Sequence, residues 1–377
     1  MKPPLDWIEG SEEIRDRVEG WWQGPLATSP HARQIAHSKR RSVIHLSPPG
    51  GSDLIIKCFR EKRGPGAPLS LIKRTLGRAP WQREWQALKK LAASKPIAPA
   101  SLGLARTPEN EVLLIGEFID GPSLWEALTT PDRDSTSALA LCGQAVGRLH
   151  QAGLAHGDLH PGNLLLADTG PVLIDFQRCT RLRPRSRVDD LARLDFSLAL
   201  IDIPENERSR LIRDALPTGF DLNQQRERIL KRARYLASQH RRIRMRHCLR
   251  PSPERAALRS GDRQGMRRMD FSEDELRAVL QSYGQERREA GTRSDEEENM
   301  TPVRACERRF RIYEQRPRSK MSRIRQSILG SEGRRAWQNA HDPLLRNEGS
   351  RMVAFCEQRS LGLLASSLWI VEDEFSD

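Results

Sequence analysis

The chain has 377 residues, and its 63 Lys and Arg against 50 Asp and Glu give a formal net charge of +13. Such a field draws anionic partners: nucleotides, acidic lipid, phosphorylated glycan. Six scattered cysteines with no C-x-x-C pair argue against a zinc site or a disulfide framework and suit a reducing compartment. Aromatics are only 5% and no base-reading motif is present, which disfavours nucleic acid. Met1 to Trp7 contain no signal-like apolar core, and no apolar run reaches the roughly 18–20 residues that span a bilayer. The expected location is cytoplasmic, with a peripheral seat at the inner membrane face as its extension.

In chain order, Ser42 to Leu46 and Leu54 to Phe59 read as a hairpin across Pro48-Pro49-Gly50-Gly51, and a flexible basic stretch follows. Pro80 opens a helix whose Trp81, Trp85, Leu88 and Leu91 form one apolar stripe. Val112 to Ile115 is a buried-strand candidate ending at Gly121-Pro122. Helices are predicted over Ser123 to Leu128 and over Thr136 to Gln151, the latter stopped by Gly153. Leu164 to Leu166 and Val172 to Ile174 are short strands joined by Ala167-Asp168-Thr169-Gly170. From Asp189 the pattern is helical to about residue 246, and a charged linker is expected near 287–299.

The chemistry concentrates in His156-Gly157-Asp158-Leu159-His160-Pro161-Gly162-Asn163, followed by Asp175-Phe176-Gln177. Folding the two short strands back on each other brings Asn163 and Asp175 to the open end of the hairpin. Cross-strand neighbours lie roughly 5 Å apart, which suits two hard oxygen ligands sharing one Mg²⁺. Asp158, on a loop made compact by Gly157, Pro161 and Gly162, can then orient an acceptor hydroxyl and take its proton. Lys57 lies mid-strand among apolar neighbours, where an unpartnered cation is costly, and Glu84 lies within an apolar helix stripe. Pairing them explains both. The strand Leu113 to Ile119 would offer backbone groups to an adenine edge.

This order of motifs resembles the protein-kinase-like superfamily. Asp175-Phe176-Gln177-Arg178 and Arg187-Val188-Asp189-Asp190-Leu191-Ala192 look most like the lipopolysaccharide core kinases that phosphorylate heptose or Kdo. The resemblance, over about residues 30 to 240, implies an α+β two-lobed fold with an antiparallel-sheet small lobe and a mainly helical large lobe. It implies ATP and Mg²⁺, with Asp158 as catalytic base, Lys57 and Glu84 at the nucleotide phosphates, and Asn163 and Asp175 as metal ligands. Asp190 would brace the catalytic loop. The acceptor would be a sugar or glycolipid hydroxyl, with peripheral contact to an anionic membrane surface. The domains follow: 25–121 the small nucleotide-binding lobe, 122–246 the large catalytic lobe, 247–377 a second, incomplete small lobe.

That last expectation rests on an internal repeat. Lys57-Cys58-Phe59-Arg60 is matched by Arg308-Arg309-Phe310-Arg311, and Arg83-Glu84-Trp85-Gln86 by Arg335-Ala336-Trp337-Gln338. In the copy, Arg308 stands for the lysine and Ala336 for the carboxylate, so the phosphate clamp is lost. The strand Leu368 to Val371 is expected to leave apolar surface uncovered.

Two features depart from the protein-kinase pattern. Gly157 stands where those enzymes carry an arginine that reads activation-loop phosphorylation, and His37 to Ser42 replaces a glycine-rich loop, where basic side chains can contact phosphates. A lone His-Gly-Asp would mean little; the full run with Asn163 and Asp175 is far more specific. His150, His156 and His160 read as structural, and the arginines from Arg226 to Arg268 as a solvated helical face. Two other readings remain: a kinase of a soluble aminoglycoside-like substrate, against which the arginine excess weighs, and a non-catalytic anion-binding scaffold.

Overall fold

The computed structural model describes residues 2–373 apart from 25–30, 39, 48–49, 61–74, 93–96, 131–134, 218, 220, 290–299 and 342–349. The chain divides into two compact units, Met1–Leu236 and Ala237–Asp377. The basic stretch expected to be flexible lies for the most part outside the described residues, as does most of the expected linker.

In the first unit six strands form one antiparallel sheet. They are β1 (Asp6–Gly10), β2 (Ala32–His37), β3 (Arg41–Leu46), β4 (Leu54–Phe59), β5 (Ser101–Arg106) and β6 (Val112–Glu117), in the order β1-β5-β6-β4-β3-β2. The period of two along β4 decides what each face carries. Leu54, Ile56 and Cys58 point to α1 (Glu12–Gln23), which covers them with Ile14, Val18 and Trp21. Phe59 points the other way, with Leu104, Val112 and Leu114, onto Ala87, Leu88 and Leu91 of α2 (Pro80–Leu91). Lys57 shares this second face.

The helical part follows with α3 (Leu124–Thr129), capped by Ser123, and α4 (Ser135–Gln151). Then come the short strands β7 (Leu154–Ala155), β8 (Leu164–Ala167), β9 (Gly170–Leu173) and β10 (Thr180–Arg181). Three helices close it: α5 (Pro184–Ala199), α6 (Glu205–Ala215) and the start of α7 (Leu222–His247). This is the mixed architecture that the motif order predicts. Helices α4 and α6 touch backbone to backbone: a Cβ on Gly143 would sit 2.6 Å from the Leu211 carbonyl oxygen.

The second unit is a six-stranded antiparallel sheet. Its strands are β11 (Arg255–Ser260), β12 (Arg263–Arg268), β13 (Met300–Ala305), β14 (Arg308–Gln315), β15 (Ser350–Ser360) and β16 (Leu363–Asp373), in the order β11-β12-β15-β16-β14-β13. Between them run α8 (Glu273–Glu289), α9 (Lys320–Leu329) and α10 (Glu332–Ala340). The inner order β12-β15-β16-β14-β13 repeats β1-β5-β6-β4-β3 of the first sheet, pair for pair antiparallel. Helix α8 follows β12 as α1 follows β1, and α10 precedes β15 as α2 precedes β5. The two helices lie on opposite faces in both units: α8 covers Phe310, Ile312 and Leu368, while Trp337 of α10 packs on Met352 and Phe355.

The residue-by-residue match behind the repeat is corrected by this geometry. Arg308 lies on the α8 face, 2.6 Å from Glu275 and paired with Glu372, whereas Lys57 lies on the α2 face. A strand slip of one residue exchanges faces, so Arg308 is not the counterpart of Lys57. The strand Leu368 to Val371 is also covered, contrary to expectation, because α8 and α10 sheathe both faces of its own sheet. Arg287 to Glu289, expected in the linker, form the last turn of α8, where Arg287 pairs with Glu314.

Two glycines test the packing. Gly143→Ala should lower the free energy of unfolding by about 1–3 kcal/mol, because neither helix backbone can give way. Gly284→Ala on α8, where a Cβ meets nothing within 4 Å, should stabilise by up to ~1 kcal/mol. Denaturant midpoints of the two variants check both signs.

Candidate active site

The site is assembled around Asp190, a buried carboxylate on α5. It accepts hydrogen bonds from the backbone amides of His156 at 2.7 Å and Gly157 at 2.8 Å, and pairs with His150 Nε2 at 3.2 Å. Gly157 has φ +79°, and a Cβ there would collide with the Arg178 carbonyl. The arginine of protein kinases therefore has no room at this position.

His156 Nε2 donates to the Ile174 carbonyl at 2.9 Å, tying the catalytic loop to the segment that carries Asp175. Burial holds the His156 pKa below its ordinary value, so the ring is neutral. It also packs on Phe176, with ring centroids 5.0 Å apart. Its reading as a structural histidine accords with both contacts.

Asn163 ends the 3₁₀ turn Pro161–Asn163 and donates through Nδ2 to the Asp158 carbonyl at 2.9 Å. This leaves the amide oxygen as its free donor to a cation. The β8–β9 register pairs Leu164 with Leu173, and the Ile174 amide bonds the Asn163 carbonyl at 3.0 Å. The hairpin thus sets Asn163 against Ile174, as equal counting from Asp168 and Thr169 requires, and not against Asp175 as expected. Asp175 comes one residue later in the left-handed region, φ +66° and ψ +61°, and turns the chain into the 3₁₀ helix Phe176–Arg178. A non-glycine residue held there is strained, and such strain gathers at functional sites.

Lys57 and Glu84 form an ion pair, with Glu84 only 1% exposed. The second Glu84 carboxylate oxygen is buried without a partner, so the pair is not saturated. Ile55, Leu88, Leu114 and Phe176 line a small recess between this pair and Asp175. The expected adenine edge is partly spent. β6 is paired on both sides, the Glu117 amide bonds Ala100, and the Phe118 amide bonds Asp53 at 3.1 Å. A nucleotide edge must therefore be met beyond Phe118. There, His45 stacks on the Phe118 ring at 3.8 Å and bonds Asp53 at 2.6 Å.

Three arginines complete the site: Arg41 from the basic His37–Ser42 run, Arg178 from the Asp175–Arg178 motif, and Arg193, which lies in neither. Arg41, at the start of β3, grips both carboxylate oxygens of Asp175 at 3.0 and 3.1 Å. Arg178 bonds Asp158 at 3.1 Å, and Arg193 stands 4.0 Å from the same oxygen. Arg178 follows Asp175 by three residues, which a 3₁₀ turn converts into a shared face.

Asp175 and the Asn163 amide oxygen are hard donors of the kind Mg²⁺ takes. Among the described residues no group of three or more His, Cys, Asp or Glu could hold a metal. A cation here would complete its shell with phosphate oxygens and water, the habit of Mg²⁺.

Residues 69–214 match the lipopolysaccharide kinase (Kdo/WaaP) family. The EKC/KEOPS complex subunit bud32 of Emericella nidulans is 28% identical over 202 residues, covering 47% of this chain and 69% of its own. The subunit of the same name from Yarrowia lipolytica is 47% identical over 49 residues, 12% of this chain and 20% of its own. Calcium/calmodulin-dependent protein kinase type IV of Homo sapiens is 27% identical over 126 residues, 32% of this chain and 26% of its own. The chain is similar to each of these relatives over part of its length, and the family match at residues 69–214 lies within the first unit.

Two measurements test the assembly. Lys57→Met and Glu84→Gln should each weaken phosphotransfer, and the double variant should lose less than the sum; additive losses would mean that the pair does not act as a unit. For His156, the unfolded state binds a proton that the folded state refuses. Its contribution to stability is whole above the ordinary value of about 6.5 and is lost as pH falls below it. Melting temperature should accordingly fall between about pH 7 and about pH 5, and less so in His156→Gln.

Proposed function

We propose that this kinase, whose catalytic region matches the Kdo/WaaP family, transfers the γ-phosphoryl group of ATP to a sugar hydroxyl of a lipopolysaccharide-type glycolipid. The observation that carries the acceptor class is the cationic wall at Asp158, formed by Arg178 and Arg193. An acceptor rich in carboxylate and phosphate meets complementary charge there, whereas a cationic aminoglycoside meets repulsion. The short path from Asp175 to α5, which begins at Pro184, supports the same reading. It leaves little length for a peptide-docking loop.

In this reading each side chain has a distinct task. Lys57, held by Glu84, contacts the nucleotide phosphates; Asn163 and Asp175 hold the cation. Bound Mg²⁺ supplies charge neutralisation on the phosphates. Arg41 exchanges Asp175 for phosphate oxygens. Asp158 orients the acceptor hydroxyl and takes its proton as the new O–P bond forms, while the β–γ bridging oxygen departs with ADP. Asp190 touches neither substrate and acts by positioning His156 and Gly157.

A second reading draws on the 69% of the Emericella nidulans subunit that is covered. There the kinase would work within a larger assembly, and a protein acceptor is the one that the name of the Homo sapiens relative states for that enzyme.

Incubation with labelled ATP and separate envelope glycolipid, soluble sugar and protein fractions distinguishes these readings. Label should enter the glycolipid and should vanish when EDTA removes the cation. Label confined to protein or to soluble sugar overturns the glycolipid acceptor. Asp158→Ala should lower transfer by about a hundred- to ten-thousand-fold while nucleotide still binds. Asp175→Ala should lose its response to Mg²⁺. Turnover at the wild-type rate in either variant would overturn the site.

A further inference from the structure

Helix α9 is built inside out. Ser322, Arg323, Gln326 and Ser327 make up its inward face, and Met321, Ile324, Ile328 and Leu329 its outward face. Met321 is 75% exposed, Ile328 76% and Leu329 68%, and no residue of the helix is buried. A surface helix of a globular unit ordinarily buries its apolar stripe. Here the polar face does the anchoring. Arg323 Nε donates to the Leu364 carbonyl at 2.9 Å, and the Leu364 amide donates to Ser327 Oγ at 2.8 Å.

Those bonds fasten α9 beside the turn between β15 and β16, whose tip is Leu361. Its side chain is fully exposed, and its φ is +54°, a conformation in which hairpins favour asparagine, aspartate or glycine. Nothing in the fold of the second unit requires a leucine there. Helix and hairpin end are thus neighbours, bonded through Arg323 and Ser327 to Ser360 and Leu364, and each exposes apolar side chains.

Charge identifies what would cover it. From Gln315 to Ser331 the chain carries Arg316, Arg318, Lys320, Arg323 and Arg325 and no acidic residue. Arg318, Lys320 and Arg325 are exposed around the apolar stripe. We propose that α9 and the Leu361 turn form a docking surface for an anionic lipid bilayer. The apolar residues enter the headgroup–acyl boundary and the basic side chains meet the phosphates. A second copy of the chain would instead bring the same basic residues against each other, which Coulomb repulsion opposes. Among the described residues no helix is long and apolar enough to cross a membrane. The surface uses no phosphotransfer residue and stands whichever acceptor that site serves.

Sedimentation of the full chain with vesicles tests this. Wild type should pellet with phosphatidylcholine–phosphatidylglycerol vesicles and far less with phosphatidylcholine alone. Ile324→Ser with Ile328→Ser should weaken binding at least about tenfold. Arg318→Ser with Arg325→Ser should weaken it about twenty-five-fold on anionic vesicles only, at roughly fivefold per basic residue. Since these side chains are exposed, melting temperatures should hold, which separates lost docking from lost folding. Equal binding to both vesicle types, or full binding by either variant, overturns the proposal. So does a wild-type dimer in light scattering that Ile324→Ser with Ile328→Ser abolishes, for then a second copy covers the surface.

Discussion

A single buried carboxylate organises the catalytic half of the molecule. Taking Asp190 out of water is costly unless donors replace the lost hydration, and three do: two backbone amides and one imidazole. Because the amides belong to His156 and Gly157, the carboxylate fixes the backbone immediately before Asp158. The His156 ring passes that constraint across to Ile174, the residue before Asp175. The two carboxylates to which the proposed function assigns the chemistry are thus placed by a third side chain that contacts neither. The left-handed backbone at Asp175 is held by these supports and not by local preference.

The small lobe adds an independent constraint. Alternation along β4 sends Leu54, Ile56 and Cys58 to α1 and leaves Lys57 facing α2, where Glu84 is the buried partner. The second unit uses the same order over five strands and the same placement of helices, and among the described residues it has no lysine–carboxylate pair between β14 and α10. The frame is therefore a packing solution, and the Lys57–Glu84 pair is an addition to it.

Much of the first unit was legible in the sequence because its signals are local. Pro80 marks a helix start, the Leu164–Leu166 and Val172–Ile174 runs frame a tight turn, and an apolar setting makes Lys57 and Glu84 conspicuous. The strand β1 and helix α1 were not legible: Asp6-Trp7-Ile8-Glu9-Gly10 is short, and its place beside β5 depends on pairing almost a hundred residues away. The Asn163–Asp175 register was misplaced by one residue in counting: a two-residue turn at Asp168 and Thr169 pairs 164 with 173 and leaves Asp175 one step beyond. Arg41 and Arg178 were read only as members of their motifs, without their carboxylate partners, and Arg193 escaped notice among the many solvated arginines of an arginine-rich chain. The Arg308 match failed for a different reason: motif similarity carries no information about which face of a strand a residue occupies.

The grip of Arg41 on Asp175 has a thermodynamic corollary. While the guanidinium holds both carboxylate oxygens, it is withheld from phosphate and the carboxylate is withheld from a cation. A divalent ion that captures Asp175 frees Arg41 for the nucleotide, and a nucleotide that captures Arg41 frees Asp175 for the ion. Under the proposed function each ligand would thereby raise the affinity of the other by the same factor, as linkage requires. Metal and nucleotide would then load as a cooperative pair, and a free nucleotide or a free cation would meet a site whose two halves are still bound to each other.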